Sequence, residues 1–264
     1  VARPRDRGKG GPKRSGRKLG IDLEDVEAFK AHRLLTPFKD RYEEDAALAK
    51  EAVDKLIEDL EDLNQQRLEA TGRVAFTAVQ GRVKQQDSFL NKLFGECRVL
   101  ARAKSVSGET LDAAYMSIKD LAGVRFSCPY FDEVEPAINE FVRPKLFALG
   151  YGTDLTADTA YADKDCLDAG DHFGYRSYHF YVQVPTVYDI FGRVKPCLCE
   201  VQARTELQHV WADKSHDLLY KPAGGWNYAD PGVVDLMKQV SHNLRAIDEY
   251  LVDIRRRTRG GPTS

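Results

Sequence analysis

The sequence has no apolar run near the roughly 20 residues that a membrane-spanning helix needs. Its first twenty residues are basic and glycine-rich with no apolar stretch, so no secretory leader is expected. Together these predict a protein with no membrane partner. The five cysteines are odd in number and lack the spacing of a disulfide scaffold, which points to a reducing, cytoplasmic setting. No internal repeat is visible. Histidine is scarce early in the chain, with only His32 before residue 172.

The chain has 264 residues, 42% hydrophobic and 30% charged, enough for a packed core in one large domain or two small ones. The net charge of −2 conceals an uneven distribution. Residues 1–20 carry eight basic residues and one acid, and residues 255–264 carry Arg255, Arg256, Arg257 and Arg259 with no acid. The remainder is an acidic body. The first twenty residues read as a disordered tail, either solvated or in contact with nucleic acid.

Hydrophobic spacing predicts helices at 22–34, 43–70 (Leu48, Val53, Leu56, Ile57, Leu60, Leu63), 86–102, 112–118, 132–148, 205–221 and 232–256. In the helix at 205–221, Leu207, Val210, Trp211 and Leu218 are the expected core residues. Strands are predicted at Val74–Val79, Gly123–Cys128, 176–185 and Val194–Arg204, and residues 150–173 read mostly as a loop. This alternation implies an α/β (α+β) domain, one mixed β-sheet flanked by helices with additional N- and C-terminal helices.

Three segments carry chemistry. In the first, Gly81 is placed to end a strand, Arg82 and Lys84 sit at a strand-to-helix junction, and Ser88 and Lys92 lie four apart on one helix face. The segment suits either a polyphosphate or a solvated basic helix start. In the second, Asp120 precedes a strand, Gly123 allows close backbone approach and Arg125 projects from the strand. Asp120 suits a Mg²⁺ ligand or a capping residue. In the third, a period of two gathers Tyr175, Ser177 and His179 on one face and Glu200, Gln202 and Arg204 on another strand's face. Six polar groups on one sheet face indicate a site. His209, Asp213 and His216 share a helical stripe that reads as a polar face, and Cys197 and Cys199 read as packing residues without a second metal-binding pair.

These segments, in order from Val74 to Lys221, resemble the synthetase domain of the RelA/SpoT family of ATP-dependent alarmone synthetases. The resemblance is carried by Gly-Arg-Val-Lys at 81–84 with Ser88 and Lys92, Asp-Leu-Ala-Gly-Val-Arg at 120–125 and Gly-Tyr-Arg-Ser-Tyr-His at 174–179. Glu-Val-Gln-Ala-Arg-Thr at 200–205 and Trp211, Ala212, His216, Tyr220 and Lys221 complete it. It implies a nucleotidyltransferase-like core over 73–222, preceded by helices at 21–72 and followed by a C-terminal helix and basic tail at 223–264. It also implies transfer of the β,γ-pyrophosphate of ATP to the 3′-hydroxyl of an acceptor nucleotide with release of AMP. Where the acceptor is GDP or GTP, the product is (p)ppGpp.

By the same resemblance, Arg82 and Arg125 stack on the adenine of ATP, and Lys84, Ser88 and Lys92 contact its phosphates. Asp120 and Glu200 hold Mg²⁺, and Glu200 takes the 3′-hydroxyl proton. Tyr175 stacks on the acceptor base, with Arg176, Ser177, His179, Gln202 and Arg204 around the acceptor and phosphates. The family's separate hydrolase domain, a helical unit with a metal-binding His-Asp set, is not expected here. The chain departs from the family before Gly174, where a basic stretch is usual and Asp163–His172 holds four acids and one lysine. That departure keeps open the acceptors of toxic small members, adenosine nucleotides or the 3′-terminal adenosine of tRNA, with an antitoxin protein as a possible partner. A non-catalytic nucleic-acid-binding or regulatory module is the remaining alternative.

Overall fold

The computed structural model describes residues 21, 23–101, 106–153, 163–168, 173–185, 192, 195–221, 225–226 and 231–259. The expected basic tail at 1–20, residues 154–162 and 169–172 of the expected loop, and residues 260–264 lie outside the described residues, as do the side chains of His216, Tyr220 and Lys221. The chain divides into two compact units, one comprising residues 1–36 and 90–118, the other residues 37–89 and 119–264.

The first unit holds α1 (Val26–Ala31) and α4 (Gly108–Ser117), together with most of α3 (Gln86–Leu100). Asp25 caps α1, accepting from Glu27 N at 2.8 Å and Ala28 N at 3.1 Å, and Ser107 caps α4 by accepting from Thr110 N. These caps satisfy amides that would otherwise lack an intrahelical partner. Phe29 and Phe94 meet edge to face at 5.3 Å.

The second unit is built on a five-stranded sheet. Its strands are β1 (Ala78–Val83), β2 (Ala122–Cys128), β3 (Lys164–Asp165), β4 (Tyr178–Val184) and β5 (Cys197–Thr205), in the order β1-β2-β5-β4-β3. β2 and β5 run parallel and every other neighbouring pair is antiparallel, so the sheet is mixed, as expected. One face carries Val124, Phe126, Phe180, Val182 and Val201. It packs under α2 (Thr36–Thr71), through Leu56 and Leu60, and under the helical segment α5 (Val134–Pro136, Ala137–Val142, Arg143–Ala148). β6 (Tyr220–Lys221) pairs with β7 (Gly225–Trp226), after α6 (Glu206–Leu219) and before α7 (Pro231–Arg259).

Several elements differ from the sequence expectation. Helix α2 begins at Thr36 rather than at 43, with Pro37 at its first turn, where a missing N–H costs nothing. The strand expected at Val74–Val79 lies at Ala78–Val83. Ala75 and Phe76 are buried outside the ladder because the Asn64 amide takes the place of a strand neighbour, accepting from Ala75 N at 2.7 Å and donating to Phe76 O at 2.8 Å. Gly81, expected to end a strand, lies within β1 opposite Val124. The helix expected at 132–148 contains a π-helical stretch at Ala137–Val142, where Arg143 N–H bonds to Ile138 O. Pro144, which has no N–H, follows at once. Trp211 is buried, its indole N–H donating to Met237 O, but Val210 and Leu218 are exposed: one lies off the buried side and the other in the last turn of α6.

The junction from β5 to α6 is a capping box. Thr205 Oγ1 accepts from Gln208 N at 3.2 Å, and Gln208 Oε1 accepts from Thr205 N at 3.0 Å. Thr205 Oγ1 also donates to Asp248 on α7 at 2.8 Å. Burial pushes Asp248 up to about 6, above its ordinary 3.8. A carboxyl whose folded pKa is raised favours folding most below its unfolded pKa, and that contribution is lost as pH rises from 3.8 to about 6. Asp248→Asn, which keeps an acceptor for Thr205, should therefore stabilise the protein at pH 8 by about 3 kcal/mol. Urea midpoints at the two pH values test this: the gain should be much smaller near pH 4, and an equal gain at both would contradict it.

Two of the arginines at the C-terminal end of α7, Arg255 and Arg256, have carboxylate partners. Arg255 pairs with Asp132 at 2.6 Å and Glu133 at 2.5 Å and lies over the Tyr130 ring at 4.3 Å. Arg256 adds a contact to Asp132 at 3.2 Å. They fasten α7 to the segment that leads into α5.

Candidate functional site

The sheet face opposite the core is polar, and the strand register arranges it in rows. Arg82, Gly123, Glu200 and Tyr181 form one row across β1, β2, β5 and β4, and Gln80, Arg125, Gln202 and His179 form the next. The period of two produces this directly, because residues of the same parity share a face. Gly123 leaves open the space that a side chain would fill. A Cβ there would lie 3.7 Å from both Cγ and Nε of Arg82 and 3.8 Å from Glu200 O, so the arginine crosses the sheet toward the glutamate's strand.

Glu200 is the buried centre of a hydrogen-bonded chain. Tyr175 Oη contacts His179 Nε2 at 2.9 Å, and His179 Nδ1 lies 3.2 Å from Glu200 Oε1. Gln202 Nε2 donates to Glu200 Oε2 at 2.8 Å, and Tyr175 Oη reaches Gln202 Oε1 at 3.3 Å. Burial pushes the Glu200 carboxyl up, but the hydrogen bond and charge of His179 and the Gln202 amide outweigh it. The net shift is downward, so Glu200 is ionised at neutral pH.

Asp120 stands at the entrance to β2 and Lys84 at the exit of β1, and Lys84 Nζ lies 3.0 Å from Asp120 Oδ2. The backbone fixes this pair, since Lys84 N donates to Leu121 O at 2.9 Å and Tyr42 Oη donates to Lys84 O at 2.7 Å. The charge of Asp120 is felt at Glu200, where it opposes ionisation. Two carboxylates that repel each other form a donor set suited to a divalent cation. Among the described residues, no group of three or more His, Cys, Asp or Glu is arranged to hold a metal.

A cationic side adjoins the carboxylates. Arg204 is 2% exposed, lies 5.9 Å from the Tyr175 ring and feels the charges of Arg125 and Arg82. Its Nε is buried and finds no hydrogen-bond acceptor among the described residues. A guanidinium held in this way, with its pKa lowered first by burial and further by two like charges, suits an incoming anion. Arg125 contacts Asp213 on α6 at 3.3 Å. His209, also on α6, lies 3.7 Å from Asp213, and its pKa is lowered by burial and by Arg204.

The structure thus brings together Arg82, Lys84, Asp120, Arg125, Tyr175, His179, Glu200, Gln202 and Arg204. Ser88 is exposed in the first turn of α3, and Lys92 lies one turn further along, in the part of that helix belonging to the first unit. Two other expected residues have structural partners. Ser177 is fully buried with its hydroxyl on Ala203 O at 3.1 Å. Arg176 is buried too, its guanidinium bonding to the carbonyls of Leu167 and Asp168 and to Ser241 Oγ. Its parity sets it apart from Tyr175 and His179, and it secures the segment before Gly174. Sequence reasoning missed Tyr181, whose hydroxyl reaches Glu200 Oε1 at 3.5 Å, and read Asp213 only as part of a polar helix face. The parity of Tyr181 with His179 was the available signal for the first; no signal placed Asp213 beside Arg125.

The chain has relatives among known proteins. A family model described as a region found in RelA / SpoT proteins matches residues 81–225. The chain is 31% identical over 178 residues to the GTP pyrophosphokinase YjbM of Bacillus subtilis (strain 168), covering 67% of this chain and 71% of that protein. It is 25% identical over 178 residues to YwaC, a second GTP pyrophosphokinase of the same organism, covering 67% and 72%. Among solved structures it resembles the small alarmone synthetase 1 of Bacillus subtilis bound to its product pppGpp. The TM-score is 0.60 at 26% identity, covering 82% of this chain and 97% of that one.

Proposed function

The chain belongs to the RelA/SpoT family, and from that premise we propose that it is an ATP-dependent nucleotide pyrophosphokinase. It moves the β,γ-pyrophosphate of ATP to the 3′-hydroxyl of GDP or GTP, giving (p)ppGpp and AMP. The observation that carries the reading is the sheet face itself, where an ionised, hydrogen-bonded Glu200 and Asp120 stand beside Lys84, Arg82, Arg125 and Arg204. Pyrophosphoryl transfer asks the protein mainly for positioning and charge neutralisation, and this arrangement suits both.

Arg82 and Arg125 offer planar cations to the adenine, and Lys84 supplies a point charge for the phosphates. Arg204 meets phosphate oxygens as they approach the sheet. Glu200, held ionised and oriented by His179 and Gln202, accepts the proton of the acceptor's 3′-hydroxyl. The ring of Tyr175, its hydroxyl anchored to His179 and Gln202, presents a face to the acceptor base. Asp120 and Glu200 would hold Mg²⁺, which would supply charge neutralisation on the transferred phosphates.

Tyr175 provides a graded test. Tyr175→Ala should raise the acceptor KM by about 10- to 100-fold, the range of one base-aromatic stack, with a smaller effect on the KM for ATP. Tyr175→Phe should keep most of the acceptor affinity. Initial rates with each substrate varied in turn would decide; equal effects of Ala on both KM values would remove Tyr175 from the acceptor site.

One observation favours a second reading. Asp163, Asp165 and Asp168 lie in the segment leading to Tyr175. Asp163 pairs with Arg143 and Tyr178, and Asp168 with Arg245. These pairs neutralise acids without offering cations to an acceptor's 5′-phosphates. An acceptor that brings fewer 5′-phosphates, such as the adenosine nucleotide AMP or the 3′-terminal adenosine of tRNA, fits such a segment.

A further inference from the structure

The segment that carries Tyr175 rests on helix α7, which contributes no residue to the rows of the polar sheet face. Gly174 has φ +92°, a left-handed conformation that favours glycine. A Cβ there would lie 2.9 Å from Ser241 Cβ and 3.3 Å from Lys238 Cα, so α7 comes closer to the chain at this point than a side chain would allow. A mid-helix serine usually points to solvent or bonds back to its own helix. Ser241 does neither: it is 3% exposed, and its Oγ donates across to Gly174 O and accepts from Arg176 Nε at 3.3 Å. One hydroxyl of α7 therefore ties down both chain neighbours of Tyr175. Arg176 extends the tie to the carbonyls of Leu167 and Asp168. The ring itself has the same support. Its centroid lies 6.3 Å from that of Trp211, whose indole N–H donates to Met237 O of α7 at 2.8 Å. Phe173, Trp211 and Met237 form a buried cluster against which Tyr175 packs.

We infer that Ser241 is a positioning residue for acceptor binding: through Gly174 and Arg176 it sets where the Tyr175 ring stands beside His179 and Gln202. This role rests on the proposed stacking of Tyr175 on the acceptor base. A stacking ring works only when it is held in place, and hydrogen bonds behind it do the holding. The two bonds of Ser241 run to the Tyr175 segment and not to β1 or β2, which carry Arg82 and Arg125. Helix α7 thus acts on acceptor affinity and leaves ATP binding alone.

Ser241→Ala in the full chain removes both bonds with little change in volume. The KM for GDP should rise about 5- to 10-fold, the worth of one or two hydrogen bonds, with kcat and the KM for ATP unchanged. Ser241→Cys, whose thiol is a weak donor, should fall between, and it carries the comparison if the alanine protein does not fold. In a Tyr175→Ala background, Ser241→Ala should have no further effect on the KM for GDP, because the ring it positions is gone. A serine that only stabilises the fold would lower the melting temperature and leave the KM for GDP alone, or raise both KM values together. Either result overturns the proposal, as does a full Ser241 effect in the Tyr175→Ala background. A measurement without nucleotide separates this role from the transfer reaction. Tyr175 Oη lies 2.9 Å from His179 Nε2, so the imidazole NMR signals of His179 report where the ring stands. Ser241→Ala should shift those signals in the direction that Tyr175→Phe does. Unmoved signals overturn the proposal even in an active enzyme. Shifted signals in a chain that releases no AMP would keep Ser241 as the anchor of the ring while the transfer reading falls.

Discussion

Replacing Glu200 by Gln should lower turnover by roughly 10³-fold or more while leaving the fold in place. The substitution is nearly isosteric, and an amide oxygen can still accept from Gln202. What disappears is a negative charge that the structure takes trouble to keep: burial works against it, yet His179 and Gln202 hold the carboxyl below its ordinary 4.5. A group depressed in this way stays charged at all pH values above that range, so the wild-type rate should lose this contribution only on acidification below it. Asp120→Asn should be comparably damaging, because it removes the other carboxylate and frees Lys84 from its 3.0 Å partner. The two losses should not add, since both remove the same charge arrangement. The measurements are steady-state rates beside circular dichroism and thermal melts of each variant. Near-normal turnover in either well-folded variant would dissociate these residues from the chemistry.

Gly81→Ala should be the most destabilising small substitution in β1. A Cβ at this position would lie 2.2 Å from Val53 Cγ1 and 2.7 Å from Ile57 Cδ1. Val53 is buried and β-branched, so its methyl has no alternative rotamer to retreat into without pushing on the α2 packing. Overpacking of this kind costs about 3 kcal/mol, equivalent to a fall in melting temperature of about 10 °C. The rescue is specific: Val53→Ala in the same chain should recover much of the loss, because it removes the clashing methyl. A double variant no more stable than Gly81→Ala alone would show that the strand does not approach α2 in this way. Since β1 carries Arg82 and leads to Lys84, slippage of the strand should also reduce activity before the protein unfolds.

Much of this site was legible in the sequence, and parity explains why. Glu200, Gln202 and Arg204 were placed on one face by a period of two, and the register then set Gln202 beside His179. The helix-capping pair Thr205 and Gln208 is a local pattern of the same kind. Elements set by tertiary contacts were harder to read. Gly81 reads locally as a strand terminator, yet it lies in mid-strand because α2 comes too close for any side chain. Ala75 and Phe76 read as strand, but Asn64, on the preceding helix α2, takes their backbone groups. Arg176 read as a site residue by its place in the motif, and its partners are carbonyls of a neighbouring segment that no spacing rule could supply. Arg255 likewise reads only as part of a basic end, and its partners Asp132 and Glu133 lie far from it in sequence.

The central claim, pyrophosphate transfer to a nucleotide 3′-hydroxyl at this sheet face, is tested most directly by one assay. The purified chain is incubated with radiolabelled ATP and Mg²⁺, alone and with GDP, GTP, an adenosine nucleotide or tRNA, and the products are separated. The account predicts AMP release that depends on GDP or GTP, matched by an acceptor carrying two additional phosphates, and absent with Glu200→Gln. AMP release with tRNA or adenosine acceptors alone would transfer the assignment to the second reading. No AMP with any acceptor, or ADP as the nucleotide product, would contradict the account.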